Sequence, residues 1–305
     1  MHIYLPIAEM AVSAEIIFLL SAVVGLISGV FGIGGGFLTT PFLIFIGIPP
    51  VVAVGTQASQ LVASSLSGSL AHLRRGNVDL KMGGVMMLGG LLGSFLGIFL
   101  FKFLQYMGQI DFVISMLYIV LLGGIGGLMM VESVFSAIKK KEDVRKAFNN
   151  TRISPFILAL PYKMRFPRSK LFISALVPGG IGFVGGLLAA VLGIGGGFLI
   201  VPAMIYLLGM SPLLVAGTAL FQVIFTTASA AIMHAALNQT VDIVLAGILI
   251  LGGVIGAQAG VSLSRFVKGQ QVRIVLAFII LGVCAKLVFD LFVMPADVFS
   301  TVQAP

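Results

Sequence analysis

Charge is scarce in this 305-residue chain: Asp, Glu, Lys and Arg make up 9% of it, against 59% hydrophobic residues. A soluble domain carries about a quarter charged residues, so water is excluded as the solvent for much of the surface. The single cysteine, Cys284, excludes an intrachain disulfide and a cysteine-built metal cluster. No Lys or Arg precedes the first apolar run in MHIYLPIAEMAVSAE. The chain thus lacks the basic start of a cleaved signal peptide, and the first span is expected to be retained. The ~10-residue alternating segments of a membrane β-barrel are missing too. Paired acids, a metal-ligand cluster and a zinc-protease motif are absent, which argues against an intramembrane enzyme and gives no reason to expect a cofactor. Within the spans the acidic residue Asp290 stands four places after Lys286, the spacing at which opposite charges offset each other on a helix.

What the chain does have is a set of apolar runs reaching the ~20 residues that cross a bilayer as helix. The fold class is all-α, a polytopic transmembrane helical bundle. The net charge of +8 is concentrated in residues 133–170, which hold ten basic and two acidic side chains. Such a loop marks a cytoplasmic side rather than a nucleic-acid site.

The sequence is a repeat. GIGGGFL occurs at 32–38 and at 193–199. Around it Pro41 matches Pro202, Gly47 matches Gly209, Pro50 matches Pro212, and VAVGT (52–56) matches LVAGT (214–218). Gln60 matches Gln222, His72 matches His234, and GGLLGSFLG (89–97) matches GGVIGAQAG (252–260), with the offset moving only from 161 to 163. Each unit reads as a first apolar segment (12–31 and 172–192), the glycine loop, a piece too short to span (37–47 and 198–209), and three full spans. Those spans lie at 50–72, 82–104 and 110–132, then at 211–236, 242–265 and 271–293. This gives a first repeat over 1–132, a basic linker over 133–170 and a second repeat over 171–305. The 73–81 loop carries Arg74, Arg75 and Lys81, whereas the equivalent 237–241 loop has no basic residue and the next carries Arg265, Lys268 and Arg273. The positive side switches between units, which predicts inverted repeats. Each would contain a Gly-rich broken-helix hairpin returning to its own side. Both termini are then expected outside, the C-terminal tail with Asp297 among them.

Broken helices in inverted repeats are a device of secondary transporters. Irregular backbone at membrane depth must be buried in protein or line a polar cavity. A glycine break also leaves backbone N–H groups at a helix start, where the helix dipole favours an anion. The alternative use of Gly34, Gly35, Gly36, Gly195, Gly196 and Gly197 is close helix packing. Thr56, Gln60, Ser64 and Ser67 fall within an ~80° sector of one helix, and Thr218, Gln222, Thr226 and Ser229 repeat the pattern. These neutral stripes suit either solute contact or hydrogen bonding between helices. His72 and His234 hold equivalent places, each about 160° around from its stripe's threonine, as packed residues or as candidates for gating or proton coupling.

The residues SGVFGIGGGFLTTP (28–41) and AAVLGIGGGFLIVP (189–202), with VAVGT, LVAGT and the histidine-ended helices, resemble the sulfite exporter TauE/SafE family, also called the toluene-sulfonate uptake permease family. The resemblance covers all but the linker. It implies a transporter of the bacterial-type plasma membrane for sulfite, organosulfonates such as sulfoacetate, or related small anions. Combined with the residues, it predicts an alternating-access carrier with a small anionic solute held between the hairpins and the stripes. An anion channel is the competing reading.

Overall fold

The computed structural model describes residues 2–31, 35–138, 160–263 and 269–292. Among these lie ten helices in two sets of five. The first set is α1 (Ala14–Phe31), α2 (Gly36–Phe45), α3 (Pro50–Arg74), α4 (Leu80–Tyr106) and α5 (Ile110–Ile138). The second is α6 (Leu176–Leu192), α7 (Gly197–Tyr206), α8 (Pro212–Met233), α9 (Ile243–Leu263) and α10 (Gly269–Phe292). Five segments are long and apolar enough to cross a membrane, in α4, α5, α8 with the turn that follows it, α9 and α10. At 25 residues α3 has the length but not the apolarity, because its sequence carries the polar stripe. Large apolar side chains such as Leu92, Leu128, Ile232, Leu251 and Phe289 are exposed, a surface that lipid would cover.

The all-α expectation needs one addition. Each set of helices is preceded by a β-hairpin, β1 (His2–Leu5) with β2 (Met10–Ser13), and β3 (Lys163–Phe166) with β4 (Leu171–Ser174). The registers correspond residue for residue: His2 pairs with Ser13 as Lys163 pairs with Ser174. Both turns begin with a proline, Pro6 and Pro167, and both close on a residue with positive φ, Glu9 at 51° and Lys170 at 53°. The repeat therefore reaches back to the hairpins: β3 lies inside the stretch read as linker, and β4 begins at Leu171, the first residue after it. The alternation that makes them strands is only four residues long. It places Leu5 and Phe166 at the buried end of each first strand, too short a signal to separate from neighbouring apolar sequence.

Each hairpin organises one end of the molecule. Leu5, Ala8 and Val12 pack with Ile17 of α1, Leu43 of α2, Val52 of α3 and Leu245 of α9. The start of α1 and the end of α2 are thus at the same end, so the pair is a helical hairpin that turns back at the glycine loop. At the opposite end Phe166 and Ile173 pack with Ile181 of α6, Met204 of α7, Val215 of α8 and Met82 of α4.

The repeats exchange helices. α1 lies along α9 and α6 lies along α4, through runs of small residues that let the backbones touch. A methyl group on Gly25 would come within 2.5 Å of the Gly253 carbonyl oxygen. The equivalent pair, Gly186 and Gly90, is tighter still, at 2.0 Å. α3 and α8 cross antiparallel at the centre: Gly68, late in α3, meets Leu220, early in α8. The contacts are reciprocal, Gly25 meeting Gly253 as Gly186 meets Gly90.

The offset between repeats grows by one between the histidines and the next helix, and the structure absorbs the extra residue in a π-helical turn, His234–Asn238. A single-residue insertion into an α-helix commonly takes this form.

Candidate functional site

The two glycine loops meet at the crossing. Phe37 and Phe198, the equivalent second residues of α2 and α7, stack with ring centroids 4.3 Å apart and planes 9° from parallel. A side chain at Gly36 would strike Leu61 at 2.7 Å and the Gly193 carbonyl at 3.0 Å. Gly195 is closed in by Leu61, Val223 and Thr227, all within 3.2 Å of where its Cβ would sit. In the second loop Gly193, Gly195 and Gly196 adopt φ of 68°, 74° and 70°, values that glycine takes without strain. Gly196 forms the N-cap of α7 and lies against Gly185, 2.5 Å from the carbonyl oxygen by the same measure. Gly197 begins α7, as Gly36 begins α2. Gly35 has an ordinary φ of −49°, and its N–H donates to Ser28 Oγ at 2.7 Å. Gly34 lies outside the described residues. Five of the six candidate glycines fall within the described residues; Gly36 and Gly196 stand close to backbone, of Gly193 and Gly185, while Gly195 is enclosed by side chains.

The stripes divide in a way that spacing alone did not reveal. Thr56 and Thr218 are fully buried but serve the two ends of the protein rather than its centre. Thr56 Oγ1 accepts from the Asp242 N–H at 3.0 Å, and Thr218 Oγ1 accepts from the Asp79 N–H at 3.0 Å. Ser64 donates to the Leu61 carbonyl at 3.3 Å, and Thr226 donates to the Val223 carbonyl at 3.1 Å. Those hydroxyl protons are spent on their own helices. Gln60 is tied on both sides of its amide. Its Nε2 donates to Ser21 Oγ at 3.1 Å, and its Oε1 accepts from Gln57 Nε2. Ser21 in turn donates to the Leu249 carbonyl at 2.7 Å, which joins α1, α3 and α9. Gln222 is fully buried, yet neither Nε2 nor Oε1 finds a hydrogen-bond partner among the described residues. It lies over Gly90, which contacts Gly186, so the sequence-predicted glutamine and the glycine loop are linked through α6.

The histidines are not equivalent either. His234 is buried with Nε2 2.8 Å from the Ala190 carbonyl, Nδ1 3.1 Å from Asn238 Nδ2, and its ring edge-on to Phe101. Both nitrogens are satisfied in the tautomer that carries its proton on Nε2. His72 is half-buried, and its Nδ1 has no partner among the described residues. Lys286 and Asp290 form the expected pair, 2.8 Å apart and half-exposed, with the ammonium also 4.2 Å from the Phe45 ring centre.

Sequence reasoning missed the most heavily bonded acids. Asp242 Oδ1 accepts from the N–H groups of Val244 and Leu245, and Oδ2 accepts from Ile7 N–H in the β1–β2 turn, each at 3.0 Å. Asp79 Oδ1 caps Met82 N–H at 3.1 Å, while Oδ2 accepts from Ser169 N–H at 3.0 Å and Ser169 Oγ at 2.6 Å. Each hairpin therefore clasps the helix start of the other repeat. The signal was present in VDL and VDI, an acid just before an apolar run, which is how a helix N-cap reads. Tyr118, whose hydroxyl donates to the Leu192 carbonyl at 2.6 Å beside the second glycine loop, had no such signal. Nor did the buried hydroxyls of Ser65 and Ser69, which have no partner among the described residues. No group of three or more His, Cys, Asp or Glu among the described residues is placed to hold a metal.

Paired glycine-broken helical hairpins meeting inside an interlocked bundle, on a chain with five bilayer-length apolar helices, define a multi-pass membrane transporter. The model of the family described as Sulfite exporter TauE/SafE matches residues 17–287, and the chain belongs to that family. It is 25% identical over 287 residues to the Probable membrane transporter protein YunE of Bacillus subtilis, covering 91% of this chain and 98% of the relative. It is 27% identical to the Probable membrane transporter protein YjnA of the same organism, over 89% of this chain and 98% of the relative. A Probable membrane transporter protein of Xylella fastidiosa is 28% identical, over 79% and 81%. No solved structure matches significantly.

Proposed function

We propose that this transporter carries small anions, sulfite or organosulfonates such as sulfoacetate, out of the cell by alternating access, and that it is not an enzyme. The observation that carries the reading is the meeting of both glycine hairpins at the α3–α8 crossing. There the starts of α2 and α7 meet, where a helix leaves N–H groups without intrahelical partners, and α8 contributes the neutral, uncommitted amide of Gln222. An anion held by neutral donors can be released again, as a carrier requires, whereas a buried Arg would trap it. The antiparallel, reciprocal contacts of the repeats support the inverted arrangement. In it the linker is cytoplasmic, both termini are outside, and the membrane is of the bacterial plasma-membrane type. The two clasped ends are the natural gates, with His72 and His234 near opposite ends as candidates for proton coupling. The test is counterflow in proteoliposomes with a panel of sulfite, sulfonates and carboxylates. Saturable exchange of sulfur oxyanions supports a carrier. Non-saturating flux without counterflow identifies the channel, and exchange of carboxylates alone removes the sulfur assignment.

A further inference from the structure

The two halves differ at the one place where their glutamines should match. Gln60 lies over Gly253 and Gln222 over Gly90, equivalent pairs in equivalent bundles. In the first half, Ser21 and Gln57 occupy both polar atoms of Gln60. The residues equivalent to these are Gly182 and Ala219, which have no polar side-chain atom to offer. Ser to Gly and Gln to Ala together remove six side-chain heavy atoms from the two positions that bond Gln60 in the first half, while Thr226 in place of Ser64 returns one. Sulfite has four heavy atoms and a sulfonate group has the same. Gly182 also admits no side chain: its Cβ would run into the Met86 backbone. Thr226, next to Gln222 on the same side of α8, sends its proton to its own helix and presents only lone pairs.

We propose that the halves divide the work: Gln60 is a fixed lock between α1, α3 and α9, and Gln222 is the amide that contacts the solute, beside Gly90, Gly182 and Ala219. This rests on the anion-carrier reading and deepens it. Because Nε2 and Oε1 are both uncommitted, whichever way the amide is turned, the matching solute offers an oxygen to accept and a hydrogen to donate. The class is a small oxyanion bearing a hydroxyl or a retained proton, such as hydrogensulfite or a hydroxyalkanesulfonate, rather than a bare dianion such as sulfate. A dianion would leave Oε1 facing negative oxygen.

Gln60→Met and Gln222→Met, purified and monodisperse, separate the roles through thermal unfolding without solute and sulfite titration with it. Gln60→Met is expected to lower Tm by about 2 °C or more and to leave affinity within about twofold. Gln222→Met is expected to keep or raise Tm, since it replaces an unpaired buried amide with an apolar group of similar shape. It should also weaken sulfite binding roughly 10- to 150-fold. Ala219→Gln, which restores the first half's bonding partner, should raise Tm and weaken sulfite in the same way. A further comparison uses 2-hydroxyethanesulfonate and propane-1-sulfonate, matched in length. The hydroxyl compound should bind wild type roughly 2- to 13-fold better, with the preference lost in Gln222→Met. Like behaviour of Gln60→Met and Gln222→Met in either measurement overturns the division of roles, as does a lower Tm for Ala219→Gln. Equal binding of the two sulfonates overturns the donor–acceptor class. If wild type binds no sulfur oxyanion, the carrier assignment fails, while the three Tm values still decide whether Gln222 is the uncommitted amide.

Discussion

Replacing Asp242 with Asn isolates one bond of the clasp between the repeats. The carboxylate has two oxygens with separate duties: Oδ1 accepts from Val244 and Leu245 at the start of α9, and Oδ2 accepts from Ile7 in the β1–β2 turn. An asparagine offers one acceptor. Asn and Asp cap helices about equally well, so the amide oxygen should stay with the two helix N–H groups. Its NH2 then faces the Ile7 N–H, donor against donor. A hydrogen bond to a charged group contributes about 1.5–3 kcal/mol, so hairpin opening should become roughly 10- to 150-fold more frequent. Amide hydrogen exchange of residues 2–13, read by mass spectrometry in detergent or nanodiscs, measures this directly. Protection of α9 should be unchanged, because the cap survives. Asp79→Asn should be milder at the other end, since the Ser169 hydroxyl can rotate to accept from the new NH2. Exchange in the β1–β2 turn within about twofold of wild type would refute the assignment of Asp242 as the hairpin's anchor. Loss of protection spread evenly over α9 would place the carboxylate in the cap alone.

Thr56→Val and Thr218→Val each orphan a buried N–H, of Asp242 and Asp79 respectively. Both should lower stability by about 1–3 kcal/mol while solute affinity, by titration, stays within about twofold; a tenfold affinity loss would return the threonines to the solute site. Gly196→Ala should abolish transport in reconstituted vesicles, because φ is 70° and the new methyl meets the Gly185 carbonyl. Gly35→Ala, with φ of −49° and its nearest obstacle the Val24 side chain at 3.0 Å, should retain measurable flux. Equal loss in both would detach the effect from backbone strain. Arg75→Cys and Leu237→Cys, at exposed equivalent positions, in a Cys284→Ser background, should react with an impermeant maleimide from opposite sides of the membrane. Reaction of both from one side would end the inverted arrangement.

The doubled GIGGGFL and the matching glycines of GGLLGSFLG and GGVIGAQAG were legible as a repeat with a broken helix, since a missing side chain is visible as a letter. Which helix those glycines face was not. The spacing of Gly25 and Gly29 reads the same whether the partner is α3 or, as found, α9 of the other repeat. The polar stripes were likewise legible as stripes, but a hydroxyl's proton is assigned by a carbonyl one turn back, and nothing in the letters of Ser64 or Thr226 records that choice. The contrast between Gln60 and Gln222 was written at positions 21, 57, 182 and 219. It became readable only when folding put Ser21 beside Gln60, thirty-nine positions away.

The exchange of α1 and α6 between repeats imposes a timetable on synthesis. α6 emerges after its partner α4 has been made, so its glycine face can dock at once. α1 packs on α9, with Gly25 against Gly253, 228 positions later. At ~5–20 residues per second, the first helix waits about 10–45 s with its small-residue seam open to lipid or to whatever else is in the membrane. During that interval the growing chain carries an unclaimed helix-binding surface on α1, and the emergence of α9 is what closes it.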